Sequence, residues 1–286
     1  MLSEPTRRAA FRPAGRPPAS LRQEYQEFLL ERIEEYKNSL TREELLEIGD
    51  EAVKELEASA QGGGQYLLTE VLLLEHVDRL IARRLKLPTF RRWSQKHRAL
   101  RTAQREPTHW GLASAHPLVP WARRLHPGDV AVVVGAGAAA EALFLAAHDA
   151  TVLLVEQDLH ALEHVEQRAV TEQLGARFEG LVIQFGSWFP DVLPRVAVIA
   201  PSALAAARPR DRQALLRDLQ ARTRPGGAHI VLSAGESAQI LSLASGAVQA
   251  SYVQGGWDIE RRKTKRGLFV ATKPARQADT VANVSE

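Results

Sequence analysis

Apolar positions recur at helical spacing through the first third of the chain and gather into short unbroken runs through the rest. In the first third, "SLRQEYQEFLLERIEEYKNSL" places Tyr25, Phe28, Leu29 and Ile33 along one strip of an otherwise charged helix. "SLTREELLEIGDEAVKELEASA" opens with Thr41 three residues before Glu44, the spacing of a capping box. After "QGGGQ", the stretch "YLLTEVLLLEHVDRLIARRLKL" predicts a strongly apolar helix with a basic C-terminus, which suits the helix dipole. Pro88 stops it, and "TFRRWSQKHRALRTAQRE" predicts a further helix ended by Pro107.

From Pro107 the texture changes. The runs "DVAVVVGAG", "ATVLLVE", "GLVIQFG", "RVAVIAP" and "AHIVLSAG" alternate with helical patterns. Runs apolar on both faces belong to strands covered on both sides, so the alternation predicts βαβ units and a mostly parallel sheet. The closing stretch "AVQASYVQGGWDIERRKTKRGLFVATKP" reads as two strands around a basic turn. The expected organisation is a disordered tail over 1–20, a helical cap or bundle over 21–106, an α/β domain over 107–275 and a second tail over 276–286.

Composition narrows the chemistry. The chain has 286 residues, no cysteine, 45% hydrophobic and 25% charged residues, and a formal charge of +3. Without cysteine there are no disulfides, thiolate nucleophiles or Cys-ligated metals. No apolar run approaches a membrane span and the N-terminal stretch lacks a signal-type apolar core, so a cytoplasmic location is expected, with no membrane partner.

The chemistry concentrates in "AVVVGAGAAAEALFLAAHDATVLLVEQD", Ala131 to Asp158. Gly135 and Gly137 stand where a strand turns into a helix, a bend that lets backbone N–H groups approach a ligand. Glu156 ends the next strand, where a carboxylate can accept both hydroxyls of a ribose. Glycine bend and acid together point to a nucleoside cofactor. The spelling leaves a dinucleotide and S-adenosylmethionine both open.

Later residues bear on that choice. "DRQALLRDLQARTRPGGAHIVLSAG" is an amphipathic helix, a Pro-Gly-Gly turn and a buried strand. With "GAGAAAEALFLAAHDATVLLVE", the helix "ALEHVEQRAV" and the ending "GGWDIERRKTKRGLFVATKP", the stretch from Thr108 to Pro274 resembles class I S-adenosylmethionine-dependent methyltransferases. "PTHWGLASAHPLVPWARRLHPGDVAVVVGAG" is most similar to the tellurite-resistance and thiopurine-type small-molecule branch. The resemblance implies a Rossmann-like sheet with an antiparallel last strand pair, S-adenosylmethionine as cofactor, and in-line methyl transfer to a small-molecule acceptor without a metal.

By the same resemblance, Gly135, Ala136 and Gly137 would face the cofactor's methionine part and Glu156 its ribose. Gln157, Ser187 and Trp188 would surround adenine. Ala200, Pro201 and Ser202 would border the cofactor and acceptor, with Trp110 as a substrate wall and His109 or His116 as candidate bases. Three positions depart from the family pattern: Val133 and Ser187 stand where acids are common, and Ala139 replaces the third glycine. They leave open a catalytically degenerate cofactor-binding scaffold.

The segment 83–105 is rich in Arg and Lys, holds Phe90 and Trp93, and has no acid. It raises a second alternative, an RNA methyltransferase that uses this segment on nucleic acid. Against it stands the acidic stretch Leu21 to Ala58, which could neutralise the basic one within a helix bundle. A cover over the active site or a homodimer contact is the other expected role of the bundle.

Overall fold

The computed structural model describes residues 20–60, 70–232, 239–261 and 269–275. Both expected tails up to residue 19 and from 276, the "QGGGQ" break and the basic turn at 262–268 lie outside the described residues. The chain divides into two compact units, with the boundary between Leu100 and Arg101 rather than at 106/107.

The helical unit contains α1 (Leu21–Ser39), α2 (Arg42–Ala60), α3 (Glu70–Arg84) and most of α4 (Phe90–Gln104). Ser20 caps α1 by accepting from the Gln23 N–H at 3.2 Å. The capping box of α2 is formed as the spacing predicts. Thr41 N–H donates to Glu44 Oε2 at 2.8 Å, and Glu44 N–H donates to Thr41 Oγ1 at 3.3 Å. Ile33, Ile48, Ala52, Val77, Leu80 and Ile81 form a small core between α1, α2 and α3.

The second unit is built on one seven-stranded sheet: β1 (Val130–Val134), β2 (Thr151–Glu156), β3 (Phe178–Val182), β4 (Val196–Ile199), β5 (Ala228–Val231), β6 (Asp258–Arg261) and β7 (Phe269–Thr272). Their order is β3-β2-β1-β4-β5-β7-β6. β1 to β5 run parallel, and β7 enters antiparallel between β5 and β6. The helices α5 (Val119–Ala122), α6 (Ala139–Ala147), α7 (Leu159–Thr171), α8 (Pro201–Ala206), α9 (Pro209–Arg222) and α10 (Gln239–Gln254) connect or flank the strands. This is the expected Rossmann-like sheet, mostly parallel with an antiparallel closing pair, and it follows a helical N-terminal region. Every residue of β1, β4 and β5 is buried, as strands covered on both faces must be.

One element departs from the sequence reading. The third strand starts at Phe178, ahead of the apolar run "GLVIQFG". It is the sheet edge, where Val182 stays exposed and a polar Glu179 is tolerated, so the run alone misplaces it. The two strands expected in the closing stretch are β6 and β7, and Ala247–Gln254 ahead of them closes α10. Val248 and Tyr252, four residues apart, bury one helical face.

Candidate functional site

The strand order changes direction at β1. From β1 the chain steps outward to β2 and β3, then crosses back to β4 on the other side. Helices therefore leave β1 and β4 towards opposite faces, and a crevice opens between the strand tips. At the tip of β1, Gly135 has φ +92, a conformation that side chains strain to adopt. Its amide donates to Val155 O at 2.9 Å, and a 3₁₀ turn over Ala136–Ala138 leads into α6.

Glu156 at the tip of β2 turns its carboxylate onto this bend. Oε2 accepts the Ala136 N–H at 2.7 Å. Oε1 accepts the Gln157 N–H at 2.6 Å and the Asp158 N–H at 3.3 Å. A carboxylate has about four lone-pair sites, so these bonds leave Oε2 able to accept another donor. Asp158 also caps α7, accepting from His160 N–H at 2.9 Å.

The tip of β4 supplies the other wall. The Ala200 N–H donates to Val134 O at 2.8 Å and brings Pro201 and Ser202 beside the bend. A Cβ added at Gly135 would lie 2.7 Å from Ala203 Cβ and 3.0 Å from Ala200 Cβ. One added at Gly137 would lie 2.7 Å from Ser202 Oγ. The first contact is between fixed small residues. The second is with an exposed hydroxyl on the first turn of α8, which can rotate away.

The chain after β3 borders the same edge, where Ile183 N–H donates to Glu156 O at 2.8 Å. Ser187 donates its hydroxyl to Gln184 O at 2.6 Å, so its lone pairs remain available to a donor such as an amino group. Trp188 packs half-buried against the core, and Gln157 is exposed. Gly135, Ala136, Gly137, Glu156, Gln157, Ser187, Trp188, Ala200, Pro201 and Ser202 thus all belong to the C-terminal edge of the sheet.

His109 and Trp110 do not. Helix α7 carries the chain from that edge back to the opposite one, where Glu172 follows its C-terminus. His109 Nε2 lies 3.5 Å from Glu172 Oε2. Trp110 is buried, donates its indole N–H to Gln104 O at 2.7 Å and carries the Arg168 guanidinium over its ring. Trp110 is a core residue at the far edge and forms no wall of the crevice. The packing need of a large indole explains it.

His116 is placed differently. Its Nδ1 accepts the Leu118 N–H at 3.3 Å, and its Nε2 lies 3.5 Å from Glu141 Oε1 in the first turn of α6. Burial holds the His116 imidazole below its ordinary pKa and pushes the Glu141 carboxyl up, so both favour their neutral forms. Sequence reasoning missed Glu141. Its signal was a single acid in the otherwise apolar helix "AAEALFLAA", where a charge needs a partner.

A second polar cluster is sealed inside the sheet. Tyr252, His229 and Thr223 form a chain of hydrogen bonds, with His229 Nδ1 2.7 Å from the Tyr252 hydroxyl and Nε2 2.7 Å from Thr223 Oγ1. Thr223 donates onward to Leu219 O at 2.7 Å. That direction fixes the rest: Nε2–H donates to Thr223, and Tyr252 donates to Nδ1. Burial lowers the His229 pKa to about 3 and raises that of Tyr252.

No protein-family profile and no curated protein matches the sequence. Solved structures do resemble it. They include an O-methyltransferase family protein from Burkholderia thailandensis (15% identity, 57% of this chain and 57% of that one, TM-score 0.44). The glycopeptide N-methyltransferase MtfA complexed with S-adenosyl-L-methionine is another (13% identity, 55% and 85% covered, TM-score 0.44). A third is the N-methyltransferase NodS from Bradyrhizobium japonicum WM9 (13% identity, 52% and 87% covered, TM-score 0.41). This chain spans little more than half the length of the first. At these identities the likeness is a distant one of fold. Among the described residues, no group of three or more His, Cys, Asp or Glu is arranged to hold a metal, and no helix is long and apolar enough to cross a membrane.

Proposed function

We propose that this protein is an S-adenosylmethionine-dependent methyltransferase acting on a small-molecule acceptor. The observation that carries the reading is the Glu156 carboxylate folded onto the Gly135–Ala136 bend, at the direction change of a sheet with an antiparallel closing pair. The residues fit an adenosyl group. Glu156 keeps an accepting site on Oε2, and the weaker 3.3 Å contact from Asp158 can give way to a second hydroxyl. Ser187, whose hydroxyl proton is given to Gln184 O, would accept the adenine amino group, and Gln157 and Trp188 would flank the ring. Towards the methionine end the room depends on Ser202 turning away from Gly137.

When bound, the cofactor supplies a methyl group already activated by the positive sulfur. What the protein adds is position: backbone at Ala136 and Gly137 holds one end, while Ala200, Pro201 and Ser202 keep the acceptor in line and water out. No acid or amide stands at Ala200–Ser202, which favours an acceptor that needs no hydrogen-bond clamp there. His116 is not placed as a base: its Nδ1 lone pair takes the Leu118 N–H, so the neutral ring carries its proton on Nε2, towards Glu141. Trp110, which linked the sequence to the tellurite-resistance and thiopurine branch, is explained by packing, so the reading stops at the broader class.

Titration calorimetry with S-adenosylmethionine and S-adenosylhomocysteine tests it. Binding is expected with both, and Glu156→Ala is expected to weaken it at least tenfold, because a charged acceptor for two hydroxyls is lost. No heat with either ligand would remove the reading.

A further inference from the structure

The helical unit treats its cations in two ways. On α3, Arg83 pairs with Glu55 at 2.5 Å and Arg84 pairs with Glu51, so the acidic helix α2 neutralises them. On α4 the orientation is fixed by the other face. Trp93 is buried against Tyr25 and Phe28, with ring centroids 5.3 and 6.0 Å away, and stacks on His97 at 4.6 Å. His97 in turn lies 3.0 Å from Glu24 on α1. With Trp93 and His97 turned inward, Arg91, Arg92 and Lys96 are left on the exposed side. None of these three makes an ion pair with a described residue, and α4 contains no acid.

Phe90 begins the same helix and is 37% exposed, with the Arg22 guanidinium 5.9 Å from its ring centroid. The result is a part-exposed aromatic ring beside Arg22 at the start of α4, with Arg91, Arg92 and Lys96 further round the exposed side of the same helix. Unpaired guanidinium groups suit phosphate oxygens, and an adjacent exposed ring suits a base. The apolar face of α4 is spent inside the bundle, which leaves nothing to insert into a lipid surface.

We propose that this face of α4 binds single-stranded RNA, with Arg91, Arg92 and Lys96 on the phosphates and Phe90 against a base. The site lies wholly within the helical unit and does not rest on the methyl-transfer reading; the RNA is a partner of this unit whether or not it is also methylated.

The test uses the full chain and a fluorescent single-stranded RNA of about 20 nucleotides, followed by anisotropy. Binding is expected to weaken roughly tenfold or more between about 50 and 200 mM salt, with a log–log slope near two to three. Arg91→Glu/Arg92→Glu/Lys96→Glu should lose at least about tenfold in affinity while keeping the parent melting curve. A control with the same charge change elsewhere, Lys54→Glu/Arg123→Glu/Arg124→Glu, should stay within about twofold. Phe90→Ala should weaken binding while leaving the salt slope unchanged.

Any of four outcomes would overturn the proposal. One is no binding at low salt. Another is equal loss in both triple variants. The third is tighter binding to duplex DNA of the same length, and the fourth is sedimentation showing that the face instead joins two copies of the chain. Loss of cofactor binding in calorimetry would leave these results standing, so the two readings fail separately.

Discussion

Two polar clusters of the sheet unit differ in what they leave over. Around His229, every polar atom described has its partner inside the protein: Tyr252 gives to His229, His229 gives to Thr223, and Thr223 gives to Leu219. Around Glu156 two of the three bonds are as short, but Oε2 keeps an unused accepting site and faces a bend of glycine and alanine. A saturated cluster can only hold the fold together. An unsaturated one beside open backbone can hold something else. The number of hydrogen bonds does not separate structure from site; the capacity that remains does.

Acid breaks the first cluster most strongly. The unfolded chain's His229 takes up a proton near pH 6.5, the folded one only near 3. Between these values the unfolded state holds the extra proton, so falling pH favours unfolding, at up to about 1.4 kcal/mol per unit. Urea denaturation from pH 6.5 to 3.5 should therefore show stability falling steadily, by on the order of a few kcal/mol from this group. His229→Gln keeps a donor for Thr223 and cannot titrate. It should be less stable than the parent at pH 7 and should flatten the slope between pH 6.5 and 4.5, where few carboxylates change. A parent slope unchanged by the substitution would show that the imidazole is charged in the fold.

At the glycine bend, the two glycines should part company. Gly135→Ala forces a side chain into φ +92 and against Ala203 and Ala200, at a cost of about 2 to 3 kcal/mol, seen as a lower melting temperature. Gly137→Ala meets only the mobile Ser202 hydroxyl, so less than about 1 kcal/mol of stability is expected to be lost. Its effect should fall on ligand affinity, because Ser202 is then held where the cofactor's methionine end needs room. Ser202→Gly in the same chain should recover most of that affinity. Equal melting losses for the two glycine variants would remove the distinction between them.

The sequence showed the fold where one rule acts alone. β1, β2 and β4 are buried on both faces and appear as unbroken apolar runs, and the Thr41–Glu44 pair announces the start of α2. It failed where two rules compete. The edge strand β3 mixes exposed and buried positions, so the apolar run "GLVIQFG" marks it two residues late. In the site, Gly135, Gly137 and Glu156 were legible because a bend and an acid at fixed spacing need no tertiary contact to be noticed. The pairing of His116 with Glu141 was not, since the two residues meet only through folding, across 25 positions of chain. Trp110 was legible as a residue with a reason, but the reason was packing.

The smallest effect is expected at Ser187, and it bears on the contrast most finely. Its hydroxyl proton is already committed to Gln184 O at 2.6 Å, which turns its lone pairs outward. If adenine is accepted there, Ser187→Ala should weaken S-adenosylhomocysteine binding by about two- to fivefold, the value of one neutral hydrogen bond. Binding of the deaminated ligand should respond less, because its 6-oxo group only accepts and has no proton to give Ser187. Ser187→Asp should tighten binding, since a carboxylate accepts more strongly than a hydroxyl. An affinity indifferent to both substitutions would put Ser187 with Thr223, among the groups whose hydrogen bonds serve only the fold.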